Sequence, residues 1–130
     1  MAVLDTDFLV GILRKNKDAV KKFEEIGPDE PLRTTVFNIH ELIEGVCRSS
    51  KPEQNMKQVD ELIKDIEILS YLDHYPQTSG KISADLIETG KMIGIIDVFI
   101  ATITLKNGEA LITKNKEHFE NIEGLKIILW

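Results

Sequence analysis

The stretch Gly94–Leu105, GIIDVFIATITL, holds one charge, Asp97, among aliphatic, aromatic and threonine side chains. Burying an unpaired carboxylate costs several kcal/mol or more, so Asp97 needs a partner from a remote part of the chain. The candidates are Asp5 and Asp7 in LDTDFL, Glu41 in NIHELIEG, and Asn115 with Glu117 in ALITKNKEHF. Carboxylates gathered at one place repel, by about 4 kcal/mol for two charges ~4 Å apart at an effective dielectric near 20. A fold that collects them must therefore hold something cationic among them. Oxygen ligands without thiolates select hard ions, Mg²⁺ or Mn²⁺. Such an ion, held by a few carboxylates with waters left in place, suits phosphodiester hydrolysis. On this reading the partner of Asp97 is a metal ion shared with Asp5.

Taken singly, each of these residues has an ordinary use. Asp5 and Asp7 precede a helical pattern and suit turns and N-caps. Glu41 stands three residues after Asn38, the spacing of a capping box. Asn115 fits a turn and Glu117 a solvated face. Lys114 either steers phosphate or faces solvent, and His40, His74 and His118 read as structural. Cys47 reads as a core filler. Only the set of acids is specific.

The elements that must position them follow from the hydrophobic pattern. Ala2–Leu4 reads as a strand, followed by a turn and a helix through Phe8, Leu9, Ile12 and Leu13. KDAVKKFEEI is a second helix with Val20 and Phe23 inward, stopped by Gly27-Pro28. Thr34–Phe37 is strand-like. A helix follows with Asn38 as N-cap and Ile39, Leu42, Ile43 and Val46 inward. After Lys51-Pro52 comes a long amphipathic helix with Met56, Val59, Leu62, Ile63 and Ile66 inward. IEILSYL reads as a strand, and a helix from Ser79 to Met92 places Ile82, Leu86 and Ile87 inward. EALITKN and LKIIL are the remaining strands. VFIATITL is β-branched enough for a strand closing a hairpin at Asn107-Gly108, and it also fits a helix opened by Asp97 and capped by that pair. Alternation of strands and helices implies a parallel sheet covered on both faces, and parallel neighbours need a crossover, which favours the helix. Ligands bind beyond the carboxyl ends of such strands, where Asp5, Asp7, Glu41, Asp97 and Asn115 can meet.

A chain of 130 residues with 42% hydrophobic and 29% charged residues suits one domain with a real core. The net charge of −6 argues against a broad basic surface for duplex nucleic acid, but not against an enzyme that meets nucleic acid at a metal-charged cleft. A single cysteine excludes an internal disulfide and a zinc finger. With no targeting signal, and no apolar run long enough for a membrane, a cytoplasmic location is expected.

Four segments, LDTDFL, NIHELIEG, IGIIDVFIATITL and ALITKNKEHFENIEGLKI, come in the order found in PIN-domain ribonucleases. Over nearly its whole length the chain resembles that family, and most of all the VapC-type toxins of prokaryotic toxin–antitoxin pairs. The resemblance implies an α/β fold with a mainly parallel sheet of about five strands between helices, here spanning residues 1–130. It implies that Asp5, Glu41 and Asp97 are the metal ligands and that Thr6 and Asp7 support the first of them. Asn115 takes a place where many members carry a further acid, a gap that Glu117 could fill. RNA as substrate, a homodimer, and silencing by an antitoxin that fills the active-site groove are implied as well. Two other readings remain: a phosphoacceptor receiver using Asp5, Asp7, Asp73 and Lys114, and a non-catalytic RNA-binding module of the same fold.

Overall fold

Successive residues of a strand face opposite sides of its sheet, and the central strands of this chain use both sides. Val3 and Leu111 belong to one hydrophobic cluster, Leu4 and Ile112 to another. In the computed structural model, which describes residues 2–130, these residues lie on paired strands β1 (Ala2–Leu4) and β4 (Ala110–Thr113). β2 (Leu32–Thr35) and β3 (Ile66–Leu69) extend the sheet beyond β1, and β5 (Ile127–Leu129) extends it beyond β4. The order is β3-β2-β1-β4-β5 and every pairing is parallel.

Right-handed crossovers then decide which face each helix covers. α1 (Thr6–Leu13) and α2 (Lys17–Ile26) join β1 to β2, and α3 (Val36–Cys47) and α4 (Pro52–Ile63) join β2 to β3. Both connections travel the same way along the sheet, so both lie on one face, where Phe8, Leu9, Ala19, Leu42, Val46 and Val59 pack over Leu4 and Ile112. The chain then reverses through α5 (Pro76–Glu88) and α6 (Ile95–Lys106) to β4, and through the one-turn α7 (Lys116–Phe119) to β5. Travel in the other direction puts these helices on the other face, with Leu86, Val98, Ala101, Ile103 and Phe119 over Val3 and Leu111. The reversal leaves a switch point between the carboxyl ends of β1 and β4, the place where open α/β sheets bind ligands. Asp5 follows β1 directly and Thr113 ends β4.

Residues 98–105 are helical, as the crossover requires. α6 is buried at Val98, Ile100, Ala101, Thr102, Ile103 and Thr104. The two threonine hydroxyls donate back to the carbonyls of Val98 (2.7 Å) and Ile100 (2.8 Å), which satisfies them inside the core. Asn107 closes the helix, its amide donating to the Ile103 carbonyl at 2.7 Å, and Gly108 follows at φ 66°. At the amino ends of the strands, buried Glu109 pairs with Arg33, whose Nε also donates to Glu67 Oε2 at 2.8 Å.

Several local expectations are corrected. Asn38 is not an N-cap: β2 ends at Thr35, and the Thr35 hydroxyl accepts from the Asn38 backbone N–H at 3.2 Å. The Asn38 side chain reaches back to the Thr35 N–H at 3.3 Å and completes a capping box, so Glu41 belongs to none. The fifth helix runs from Pro76 to Glu88 rather than Ser79 to Met92. Proline suits a first helical turn, whose N–H groups have no partner within the helix. The chain leaves the helix as Gly90 takes φ 69°. Ile66 opens β3 instead of ending α4. Ile87 is exposed, because Ile82 and Leu86, four residues apart, already face the core. Cys47, at the outer end of α3, is exposed and fills no core space.

Candidate functional site

Asp5 is where the site begins. Its backbone N–H still donates to the Ile112 carbonyl at 3.0 Å, so its position is fixed by the sheet. Its side chain caps α1, Oδ1 accepting from the Thr6 N–H at 2.9 Å. Oδ1 also accepts from Asn38 Nδ2 at 2.8 Å, and Oδ2 accepts from the Thr113 hydroxyl at 2.6 Å. The capping box at the start of α3 makes this possible: Asn38 spends its oxygen on Thr35 and leaves its amide N–H groups for Asp5 and Thr6. Asp5 is 5% exposed, and its carboxyl is pushed up to about 6. Burial is the main cause, opposed by the Thr113 hydroxyl bond; the charge of Asp7 raises it further, the Thr6 N–H lowers it, and the charge of Asp97 adds a smaller rise.

Around Asp5 stand the other expected residues. The Thr6 hydroxyl donates to Glu41 Oε1 at 2.7 Å, which brings α3 to the start of α1. Asp7 Oδ2 accepts from the Lys114 N–H at 2.9 Å and the Thr113 hydroxyl at 3.1 Å, while Oδ1 accepts from Trp130 Nε1 at 3.0 Å. Trp130 lies edge-on to Phe8 and closes over Gly11, where a Cβ would meet its ring at 2.8 Å and Ala19 at 2.9 Å. Lys114 Nζ sits 4.0 Å over the Trp130 ring. Asp97, in the first turn of α6, has one fifth of its side chain exposed, and its Oδ2 lies 2.7 Å from His118 Nδ1. Asn115 joins the site through its backbone, its N–H donating to Thr113 Oγ1 at 2.9 Å. Glu117 is exposed on α7 and, among the described residues, joins no hydrogen bond or ion pair.

The structure thus brings Asp5, Thr6, Asp7 and Glu41 into one hydrogen-bonded network, sets Asp97 within electrostatic reach of Asp5, and leaves Glu117 apart. Asn38, Thr113, His118 and Trp130 were not singled out from sequence as site residues, since their partners lie 21 to 123 positions away. His40 and His74 pair with exposed Glu44 and Asp73. Asp73 is fully exposed and makes no bond to Asp5 or Asp7, so the receiver arrangement is not formed.

Does this set fit a cation? Among the described residues no lysine or arginine pairs with Asp5, Asp7, Glu41 or Asp97. The field of Asp7 and Asp97 on Asp5 is therefore left uncompensated by any lysine or arginine, and the basic group paired with one of these acids is the His118 imidazole beside Asp97. Nor do three carboxylate, imidazole or thiol groups among the described residues form a ready cage, since Asp97 turns to His118 and Glu41 to Thr6. An all-oxygen donor set of this kind fits a hard divalent ion that keeps several waters and takes only one or two carboxylates directly.

Known proteins match this chain end to end. It is 26% identical over 128 residues to the tRNA(fMet)-specific endonuclease VapC of Shigella flexneri, covering 98% of this chain and 96% of that protein. It is 26% identical over 129 residues to ribonuclease VapC2 of Rickettsia felis, with the same coverage. Among solved structures, VapBC2 from Rickettsia felis bound to a DNA fragment from its promoter superposes with a TM-score of 0.90 at 25% identity, covering 99% of this chain and 98% of that one. DNA-bound VapBC from Salmonella typhimurium gives 0.86 at 28% identity, covering 100% and 99%. The model of the PIN domain matches residues 2–125. The parallel sheet, the acids at its switch point and this match agree, and the chain belongs to the PIN-domain family.

Proposed function

We propose that this chain, as one nuclease domain over residues 1–130, is a metal-dependent endoribonuclease and the toxin of a type II toxin–antitoxin pair. The observation that carries the reading is Asp5: a buried carboxylate raised to about 6, at the sheet's switch point, within the field of two further aspartates and with no basic partner among the described residues. Curated relatives named as ribonucleases over the whole length support it.

Asp5, Glu41 and Asp97 would hold Mg²⁺ or Mn²⁺. When bound, the ion lowers the pKa of a water and offsets charge growing on the phosphoryl oxygens. The chain's own groups prepare that place. Asn38 and Thr113 fix both oxygens of Asp5, and Thr6 orients Glu41. Asp7 ties down the backbone of Lys114, whose ammonium rests over the Trp130 ring at the same rim and would turn from it to meet an RNA phosphate. Asn115 and Glu117 are supporting positions at most. The partners are an RNA substrate, an antitoxin like those in the VapBC complexes, and a second copy of this chain. No helix among the described residues is long and apolar enough to cross a membrane, and the setting we propose is the cytoplasm.

The test is cleavage of single-stranded RNA by the purified chain. Cleavage should stop in EDTA, return with Mg²⁺ or Mn²⁺, and be lost in Asp5→Asn. Metal-independent cleavage, or an active Asp5→Asn protein, refutes the mechanism; a metal-binding protein that never cleaves RNA supports the non-catalytic module instead.

A further inference from the structure

Asp97 was expected to be partnered by a metal ion; in the structure its carboxylate already has a protein partner. His118 Nδ1 stands 2.7 Å from Asp97 Oδ2, across 21 residues of chain. Among the described residues no donor reaches Asp97 Oδ1. His118 is half exposed, yet its backbone is well fixed. It belongs to α7, whose next residue, Phe119, is fully buried in the cluster over Val3 and Leu111. The His118 N–H donates to the Asn115 carbonyl at 3.1 Å, and Asn115 is in turn bonded to Thr113, the residue that holds Asp5. The imidazole is therefore referenced to the same strand end as Asp5, while Asp97 arrives on a different helix.

From this geometry we infer that His118 is a positioning residue for Asp97: it engages Oδ2 and leaves Oδ1 to the cation. This rests on reading Asp97 as a metal ligand. A free aspartate side chain has two torsions, and one fifth of this one is open to water. A hydrogen bond to one oxygen removes that freedom, as outer partners do in metal sites, where their loss typically costs about 10–100-fold in affinity or activity. The role needs an Nδ1–H donor, which both the neutral Nδ1–H tautomer and the imidazolium supply. It does not need charge. Asparagine carries an amide N–H at the same number of bonds from Cβ as Nδ1, whereas glutamine carries it one atom further out.

The experiment compares wild type, His118→Ala, His118→Asn, His118→Gln and Asp97→Asn, with His74→Ala as an exposed-histidine control. Free Mn²⁺ is measured by electron paramagnetic resonance to give Kd, and kcat and KM for RNA are measured separately. Melting temperatures show that each variant is folded. His118→Ala should weaken Mn²⁺ binding about 10–100-fold, lose kcat at limiting metal and recover most of it at saturating Mn²⁺. KM for RNA should hold. His118→Asn should bind Mn²⁺ close to wild type, and His118→Gln should resemble alanine. Wild-type Mn²⁺ affinity in His118→Ala, or no rescue by asparagine, overturns the inference. So does a His118→Asn protein that binds Mn²⁺ normally but has lost kcat at saturation, since the imidazole would then act on substrate itself. If Asp97→Asn leaves Mn²⁺ affinity unchanged, the reading of Asp97 as a ligand fails; if it weakens affinity while His118→Ala does not, only the role of His118 fails.

Discussion

Replacing Asp5 with asparagine should make the metal-free protein more stable while abolishing its activity. The carboxyl of Asp5 titrates near 6 in the fold against 3.8 for the free group. A folded pKa above the unfolded one means the group supports the fold below pH ~4. That support is lost as pH rises to about 6, and above this a constant penalty remains, about 3 kcal/mol for a shift of this size. The penalty needs little discount for solvent, because Asp5 is 5% exposed. Asparagine has no charge to bury, and its hydrogen bonds can be completed. Its oxygen keeps the donors from Thr6 and Asn38. Its amide donates to Thr113 Oγ1, whose own hydrogen turns to Asp7 Oδ2, 3.1 Å away. Exchanging charge-assisted bonds for neutral ones gives back about 1 kcal/mol, leaving a net gain of about 2 kcal/mol at pH 7. For a chain of this length that is a rise in Tm of roughly 6–10 °C. Thermal unfolding followed by circular dichroism in EDTA, from pH 4 to 7.5, measures it. The gain should vanish near pH 4 and be complete by pH 7. Mg²⁺ should raise the Tm of the wild type and not of the variant, since a ligand stabilises only the state that binds it. A variant less stable than wild type at pH 7 without metal, or a gain that does not shrink in acid, would refute the reasoning.

Three further outcomes follow from other contacts. Arg33→Ala strands Glu109 as a buried charge and should cost about 3–5 kcal/mol in denaturant unfolding, whereas Arg33→Leu with Glu109→Leu should recover most of that loss. Gly11→Ala drives a methyl into the Trp130 ring and Ala19, and should cost about 1–3 kcal/mol. Trp130 is the chain's single tryptophan, so a red-shifted fluorescence maximum in that variant would report its release from Asp7 directly. Asn115→Asp adds a carboxylate beside Thr113 and should tighten Mn²⁺ binding measured by calorimetry; unchanged affinity would place position 115 outside the ion's reach.

The parts of this site legible in sequence are those whose meaning is local. Asp5 and Asp7 follow a three-residue apolar run and precede a helical pattern, so both strand end and cap could be read from neighbouring residues. Asp97 announced itself by contrast with its surroundings, and the topological demand for a crossover settled the helix that β-branched composition left open. The cap of α3 was misplaced because Thr34-Thr35-Val36-Phe37 reads as continuing strand, while Thr35 ends it by turning its hydroxyl onto the Asn38 N–H. An asparagine in the third helical position does there what Glu or Gln does in the usual capping pattern. α7 is four residues long, too short for any periodicity to show. His118 and Trp130 acquire their roles only by contact, with Asp97 and with Asp7, and nothing near them in sequence marks it.

The bond from Thr113 to Asp5 spans 108 residues and that from Trp130 to Asp7 spans 123. Contacts of such separation form late, because loop closure must be met before they reward it. During synthesis at roughly 5–20 residues per second, about 5–20 s pass between the appearance of Asp5 and that of Thr113. Through that interval the growing chain carries Asp5 without the hydroxyl that holds it and β1 without its β4 neighbour. A chain that still lacks β4 is therefore without the Thr113 bond to Asp5 by topology alone, and the arrangement around Asp5 is completed only when β4 reaches the sheet.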